Sequence, residues 1–113
     1  MLNFSEIVRG LTDTIILSRL KAGDSYGYRI NKEIRRLTKG EFEFKEATLY
    51  TAFRRLEQEG MIASYWGDEA TGTRRRYYRI TDKGRALCEE NMRDLRVYRG
   101  QIDDMLGLKE DAR

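Results

Sequence analysis

Apolar residues recur at helical spacing from about Ser5 to Ala22, at Ile7, Val8, Leu11, Ile15, Ile16 and Leu20, and Gly23 stops the run. This pattern predicts a first helix. Asp24 and Ser25 are types that cap helix N-termini, and they precede a second helical stretch, YGYRINKEIRRLTK, which ends at Gly40. Its apolar face is Tyr26, Ile30, Ile34 and Leu37. The segment EFEFK alternates acid and aromatic and is too short to assign. It leads into EATLYTAFRRLEQEG, a third helix closed by Gly60. At about 100° per residue, Leu49, Phe53, Leu56 and Gly60 fall within about 40° of one direction. Ala47, Thr51, Arg54 and Gln58 point the opposite way, with Tyr50 and Arg55 on the flanks. One face belongs to a core and the other to solvent or a partner.

The period then changes. MIASYW reads as a strand, GDEATGT as a turn-rich loop, and RRRYYRIT as a second strand, so a hairpin is expected. Alternation puts Arg74, Arg76, Tyr78 and Ile80 on one face and Arg75, Tyr77, Arg79 and Thr81 on the other. Ile80, joined by Tyr78, marks the core side, and the arginines nearest the loop extend past the body. From Thr81, a suitable N-cap, a long helix runs to about Leu106. Its apolar residues Cys88, Met92, Leu95, Tyr98, Ile102 and Met105 are spaced close to a coiled-coil seam.

The expected fold class is therefore mainly α with a small β-hairpin (α+β). Three helices and a ribbon suggest a winged helix-turn-helix over residues 1–81, followed by a C-terminal dimerisation helix over 82–113. The apolar stripe of the last helix runs for about five turns, more than a three-helix body of this size covers. A two-fold homodimer would cover the rest and set two reading helices about one DNA turn apart.

Composition narrows the chemistry. The chain has 113 residues, one cysteine and no histidine. An intrachain disulfide is excluded, the common zinc sites lack their ligands, and the usual general base of nucleophilic catalysis is missing. No enzyme activity, metal or cofactor is expected. Cys88 reads as a small buried hydrophobe, because Glu89 and Glu90 oppose any thiolate that Arg85 would favour. No run of ~18 apolar residues occurs, so no membrane span is expected. The N-terminus lacks a basic lead-in, and the expected location is cytoplasmic.

Net charge is +3, but residues 1–81 carry +4 and residues 82–113 carry −1. A polyanion should meet the first part. Alone, an arginine-rich strand is most simply a solvated hairpin. After a helix-turn-helix it points to double-stranded DNA, where each phosphate neutralised releases counterions and a wing-tip arginine can enter a narrow minor groove. Arg74 and Arg75, nearest the loop, are the first candidates, and Arg76 follows. On the third helix, Thr48, Tyr50, Thr51, Arg54 and Arg55 supply the hydroxyls and guanidinium groups that bind base edges and phosphates. A dimer of long helices can also enclose an apolar cavity for a small apolar or aromatic effector. Ile15, Ser18, Met92, Leu95, Tyr98 and Arg99 are the residues to place there. The competing class is a winged helix that serves as a protein-interaction module.

Four stretches, YGYRI (26–30), TLYTAFRRLEQEGMI (48–62), YW (65–66) and RRRYYRITDKG (74–84), resemble the PadR family of bacterial transcriptional regulators. With one helix after the wing, the chain is similar to the short subgroup of that family, and EATLYT and SYWGDE resemble its multidrug-responsive repressors. The resemblance implies a winged-helix homodimer that represses transcription, often of transporter or detoxification genes, until a small molecule weakens DNA binding. Two positions depart from the pattern. Many members have proline after the Leu-Tyr pair, where this chain has Thr51; the recognition role still carries to Tyr50 and Thr51. Drug-binding short members stack flat ligands on a tryptophan of the last helix, and Leu95 occupies that position here.

Overall fold

The computed structural model describes residues 1–68, 72 and 74–108. Most of the expected loop between the strands, and the end of the chain beyond 108, lie outside the described residues. The elements are α1 (Phe4–Val8), a 3-10 turn (Arg9–Leu11), α2 (Thr12–Lys21), α3 (Gly27–Leu37), α4 (Glu46–Gln58), β1 (Ile62–Asp68), β2 (Arg74–Ile80) and α5 (Asp82–Leu106). The class is the expected one, mostly helical with one antiparallel hairpin.

The first helix is not continuous. Asn3 caps α1 by accepting from the Ser5 and Glu6 amides, and the 3-10 turn then interrupts the run at Gly10. Glycine is a poor helix former, and a turn with three residues per turn shifts the phase of everything after it. As a result Ile7 stays exposed, while Leu17, absent from the expected stripe, is fully buried beside Ile16 and Leu20.

The expected caps of the second helix do other work. Tyr26 is the N-cap residue of α3, without a side-chain cap bond. Ser25 instead pairs its backbone with Tyr78 of β2, and the Asp24 carboxylate accepts from the Tyr65 hydroxyl at 2.6 Å. Tertiary bonds to the hairpin displace the local cap. The far end is a Schellman closure: Lys39 at φ 53° and Gly40 at φ 84° donate to Arg36 O and Arg35 O.

EFEFK becomes the turn of the helix-turn-helix. Asn31 holds Phe44 in both directions, its amide donating to Phe44 O and its carbonyl accepting from Phe44 N–H, each at 2.9 Å. Phe44 is buried, its ring edge-on to Phe42 at 5.1 Å, so the alternating pattern puts the aromatics in and the acids out.

Leu49, Ala52, Phe53 and Leu56 bury the inner face of α4. Phe53 stacks on Tyr78 with ring centroids 4.0 Å apart, which roots β2 in the core. Fully burying side chains of this size is worth about 1.5–3 kcal/mol each. The hairpin register pairs Ile62 with Ile80 and Asp68 with Arg74. β1 runs two residues past the expected strand because Gly67 admits the Tyr77 ring: a Cβ there would stand 2.7 Å from Tyr77 Cε1.

Thr81 caps α5 as expected, accepting from Gly84 N–H at 3.1 Å, while its hydroxyl reaches the Gly60 carbonyl at 2.7 Å. Lys83 donates to Glu59 O, at the end of α4. Gly84 sits so close to the backbone that a Cβ would stand 2.0 Å from Met61 O. The helix then crosses α2, with Asn91 donating to Thr14 Oγ1 at 3.0 Å. Beyond Met92 most of its residues are exposed. The radius of gyration, 16.2 Å, exceeds the ~13 Å expected of a compact chain this long.

Candidate nucleic-acid interface

On α4 the expected outward set is exposed: Thr48, Tyr50, Thr51, Arg54 and Arg55 all face away from the core. Two of them are held. Tyr50 lies across the start of α3, because Gly27 has no side chain; a Cβ there would be 2.9 Å from Tyr50 Oη. Arg55 pairs with Asp13 of α2, and this hydrogen bond raises its pKa above the ordinary arginine value.

The hairpin arginines divide by face. Arg76 donates to Ser64 Oγ at 2.8 Å and approaches Glu57 of α4 at 3.4 Å, while the Ser64 hydroxyl donates to Glu57 as well. Arg74 lies 3.5 Å from Asp68, its partner in register, and its guanidinium sits 5.3 Å from the Trp66 ring centroid. Arg75 points to the other face, half-buried, with its guanidinium 4.4 Å from the Tyr26 centroid. The Tyr65 phenol, donating to Asp24, has its pKa raised by that hydrogen bond.

Arg55, Arg76 and Arg74 thus each meet a carboxylate of a described residue: Asp13, Glu57 and Asp68. Asp13 is 42 residues from Arg55, and no local sequence pattern marks such a pairing. Exposed pairs of this kind are worth about 0–1 kcal/mol, so a phosphate can replace the carboxylate at small cost. The arrangement offers hydroxyl donors and acceptors on a helix and mobile-charge partners on a hairpin. That is chemistry for binding a polyanion.

The effector candidates separate. Met92, Leu95, Tyr98 and Arg99 line one groove on α5, of about 440 Å³, joined by Leu11 and Ile102. Ile15 packs against the core, and Ser18 donates to Ile15 O at 2.7 Å; neither lines the groove in a single chain.

The model of the transcriptional regulator PadR-like family matches residues 16–90, which include α4 and the hairpin. The chain belongs to the PadR-like family of transcriptional regulators. The solved structure of a transcriptional regulator from Clostridium thermocellum is 46% identical, with a TM-score of 0.79 over 88% of this chain and 97% of that one. A PadR family transcription regulator from hypervirulent Clostridium difficile is 34% identical, with a TM-score of 0.76 over 85% and 98% of the two chains. An uncharacterized protein of Lysinibacillus sphaericus is 43% identical over 99 residues, 88% of this chain and 91% of that one. PadR-like membership makes this a transcriptional regulator rather than an enzyme, and gives the hairpin its meaning as the wing. No helix among the described residues is long and apolar enough to cross a membrane.

Proposed function

We infer that the protein is a cytoplasmic, homodimeric repressor of the short PadR-like type, released from its operator by a small apolar effector. The observation that carries the DNA-binding part is the exposed hydroxyl and guanidinium face of α4, in a chain whose adjoining hairpin carries Arg74, Arg75 and Arg76. Thr48, Tyr50 and Thr51 choose the sequence through base edges in the major groove. Arg54, Arg55 and the wing arginines hold phosphates, which gives affinity without sequence choice.

The dimer reading rests on the second half of α5. Tyr98, Ile102 and Met105 are 53%, 47% and 77% exposed, in line along one helix. A second copy of α5 covers them and seats two wings on a two-fold operator. The α5 groove then becomes a walled cavity in the dimer. Leu95 lines it without a flat ring, so the reading favours rounded apolar effectors over planar aromatic ones; multidrug response is the broader form of the same proposal.

A gel shift at ~100 mM salt, with the DNA upstream of the protein's own gene and an unrelated duplex of equal length, tests the reading. The upstream DNA should be retained at least tenfold more tightly. Equal binding to both duplexes would remove the sequence-specific regulator, and binding to neither would leave a protein-interaction module.

A further inference from the structure

The α4 and wing candidates are joined by a segment that contains none of them, the start of α3. Gly27 packs under Tyr50 and Leu49, whose nearest atoms lie 2.9 Å and 3.3 Å from where its Cβ would be. One residue earlier, Tyr26 meets Tyr77 of β2 edge-on at 5.3 Å, and Tyr77 stacks on Tyr65 at 5.6 Å. The backbone closes the same seam: Ser25 N–H donates to Tyr78 O at 3.1 Å, and Tyr78 N–H donates to Ser25 O at 2.8 Å. This turn is therefore fixed against both the recognition helix and the wing.

Two guanidinium groups converge on the Tyr26 ring. The Arg75 carbon lies 4.4 Å from the Tyr26 centroid and the Arg29 carbon 4.7 Å. The ring face, negative at its centre, attracts each cation. By these distances the two guanidinium carbons lie within about 9 Å of each other, less than a Debye length of ~10 Å at 0.1 M salt, so an anion placed between them interacts with both. A phosphodiester, with one negative charge and two free oxygens, offers each guanidinium an acceptor.

Arg29 has little to give up in taking one. It is exposed, and no carboxylate among the described residues pairs with it. Among the described residues its polar contact is a long 3.5 Å donation to the Asp24 carbonyl, while the Asp24 carboxylate is engaged by Tyr65. Arg55, Arg74 and Arg76 each have a carboxylate to exchange.

We propose that Arg29 is a DNA-backbone contact that shares one phosphate with Arg75, and that Tyr26 is the positioning residue that gathers the two. The proposal rests on the DNA-binding reading above. Tyr26 touches no base; it sets where two charges stand.

The test is fluorescence anisotropy of the full chain with its upstream duplex and an unrelated duplex, across a salt series. Arg29→Ala should weaken both complexes alike, by about tenfold at low salt. It should also flatten the log–log salt dependence, by up to about 0.9 for the one phosphate. Tyr26→Phe keeps the ring and should bind as the unaltered protein does. Tyr26→Leu keeps apolar bulk without a π face and should reproduce the Arg29→Ala loss, and adding Arg29→Ala to it should cost less than the sum. Thermal melts accompany each variant, and Tyr26→Met replaces Tyr26→Leu if that chain fails to fold. Unchanged affinity and slope in Arg29→Ala overturn the proposal, as does a Leu or Met variant that binds like Phe. In both cases the unaltered protein still binds, so the regulator reading survives. Absence of binding by the unaltered protein removes both.

Discussion

The two halves of α5 are continuous helix with opposite fates. In the first half, Gly84 and Cys88 are buried, Thr81 and Lys83 bond the end of α4, and Asn91 bonds α2. In the second half, Val97, Tyr98, Ile102, Met105 and Leu106 are apolar and exposed. The family match ends at residue 90, next to the Asn91 bond with α2. The difference shows that helical periodicity locates an apolar face without saying what covers it. One half is covered by its own chain, and the other stays largely exposed. Variants of the first half should therefore change folding, and variants of the second should change assembly and binding with folding intact.

The largest effect belongs to Gly84→Ala. The added methyl would stand 2.0 Å from Met61 O, a backbone atom that cannot rotate away. Overpacking typically costs about 1–3 kcal/mol, and displacing the α4–β1 junction puts this change at the top of that range. Chemical denaturation should show a lower midpoint with an unchanged m-value. A wild-type midpoint would mean that α5 docks less tightly than its buried first turn indicates.

Ile102→Asp should do the reverse. The residue is exposed, so the melting temperature of the single chain should move little. If a second copy covers this stripe, a carboxylate there is costly to bury, and sedimentation should show monomers. Loss of two-site attachment should then reduce operator affinity about a hundredfold or more. A variant that stays dimeric moves the assembly surface elsewhere. Leu95→Trp sharpens the same half with a smaller effect: the new indole should improve binding of planar aromatic ligands about tenfold, read by fluorescence quenching, and leave operator binding in place. No gain would show that the groove is not closed by a partner around residue 95.

Much of this comparison was legible in the sequence. The α4 pattern gave Leu49, Phe53 and Leu56 as core, and Thr81 and Leu106 bound the long helix as the caps and periodicity indicate. Local rules suffice where the deciding contacts are local. They failed where distant partners decide. Ser25 has the chemistry of an N-cap, yet β2 claims its backbone; Leu17 was missed because Gly10 resets the helical phase. At the interface, exposure of Thr48, Thr51 and Arg54 followed from periodicity alone. The carboxylates facing Arg55 and Arg76, and the approach of Arg75 to Tyr26, come from tertiary packing that no spacing encodes, whereas Arg29 meets Tyr26 at a local i,i+3 spacing.

The smallest effect is a pH dependence confined to the first half of α5 and its neighbour in the core. Burial raises the Cys88 thiol above its ordinary 9.0, with Glu89 adding to the rise and Lys21 and Arg85 opposing it. Burial likewise raises the Tyr78 phenol above 10.0. Both groups are harder to ionise folded than unfolded, so the unfolded chain loses these protons first as pH rises. Their contribution is complete below about pH 9 and is lost as pH climbs through the folded values. The urea midpoint should stay level from neutrality to about pH 9 from these two groups and fall above it. Cys88→Ala removes the thiol and should leave the later fall from Tyr78 and Tyr65, so the two curves should diverge between pH 9 and 10. Parallel curves across that interval would mean that the thiol reaches solvent in the folded chain and that the inner half of α5 is looser than its contacts with α2 indicate.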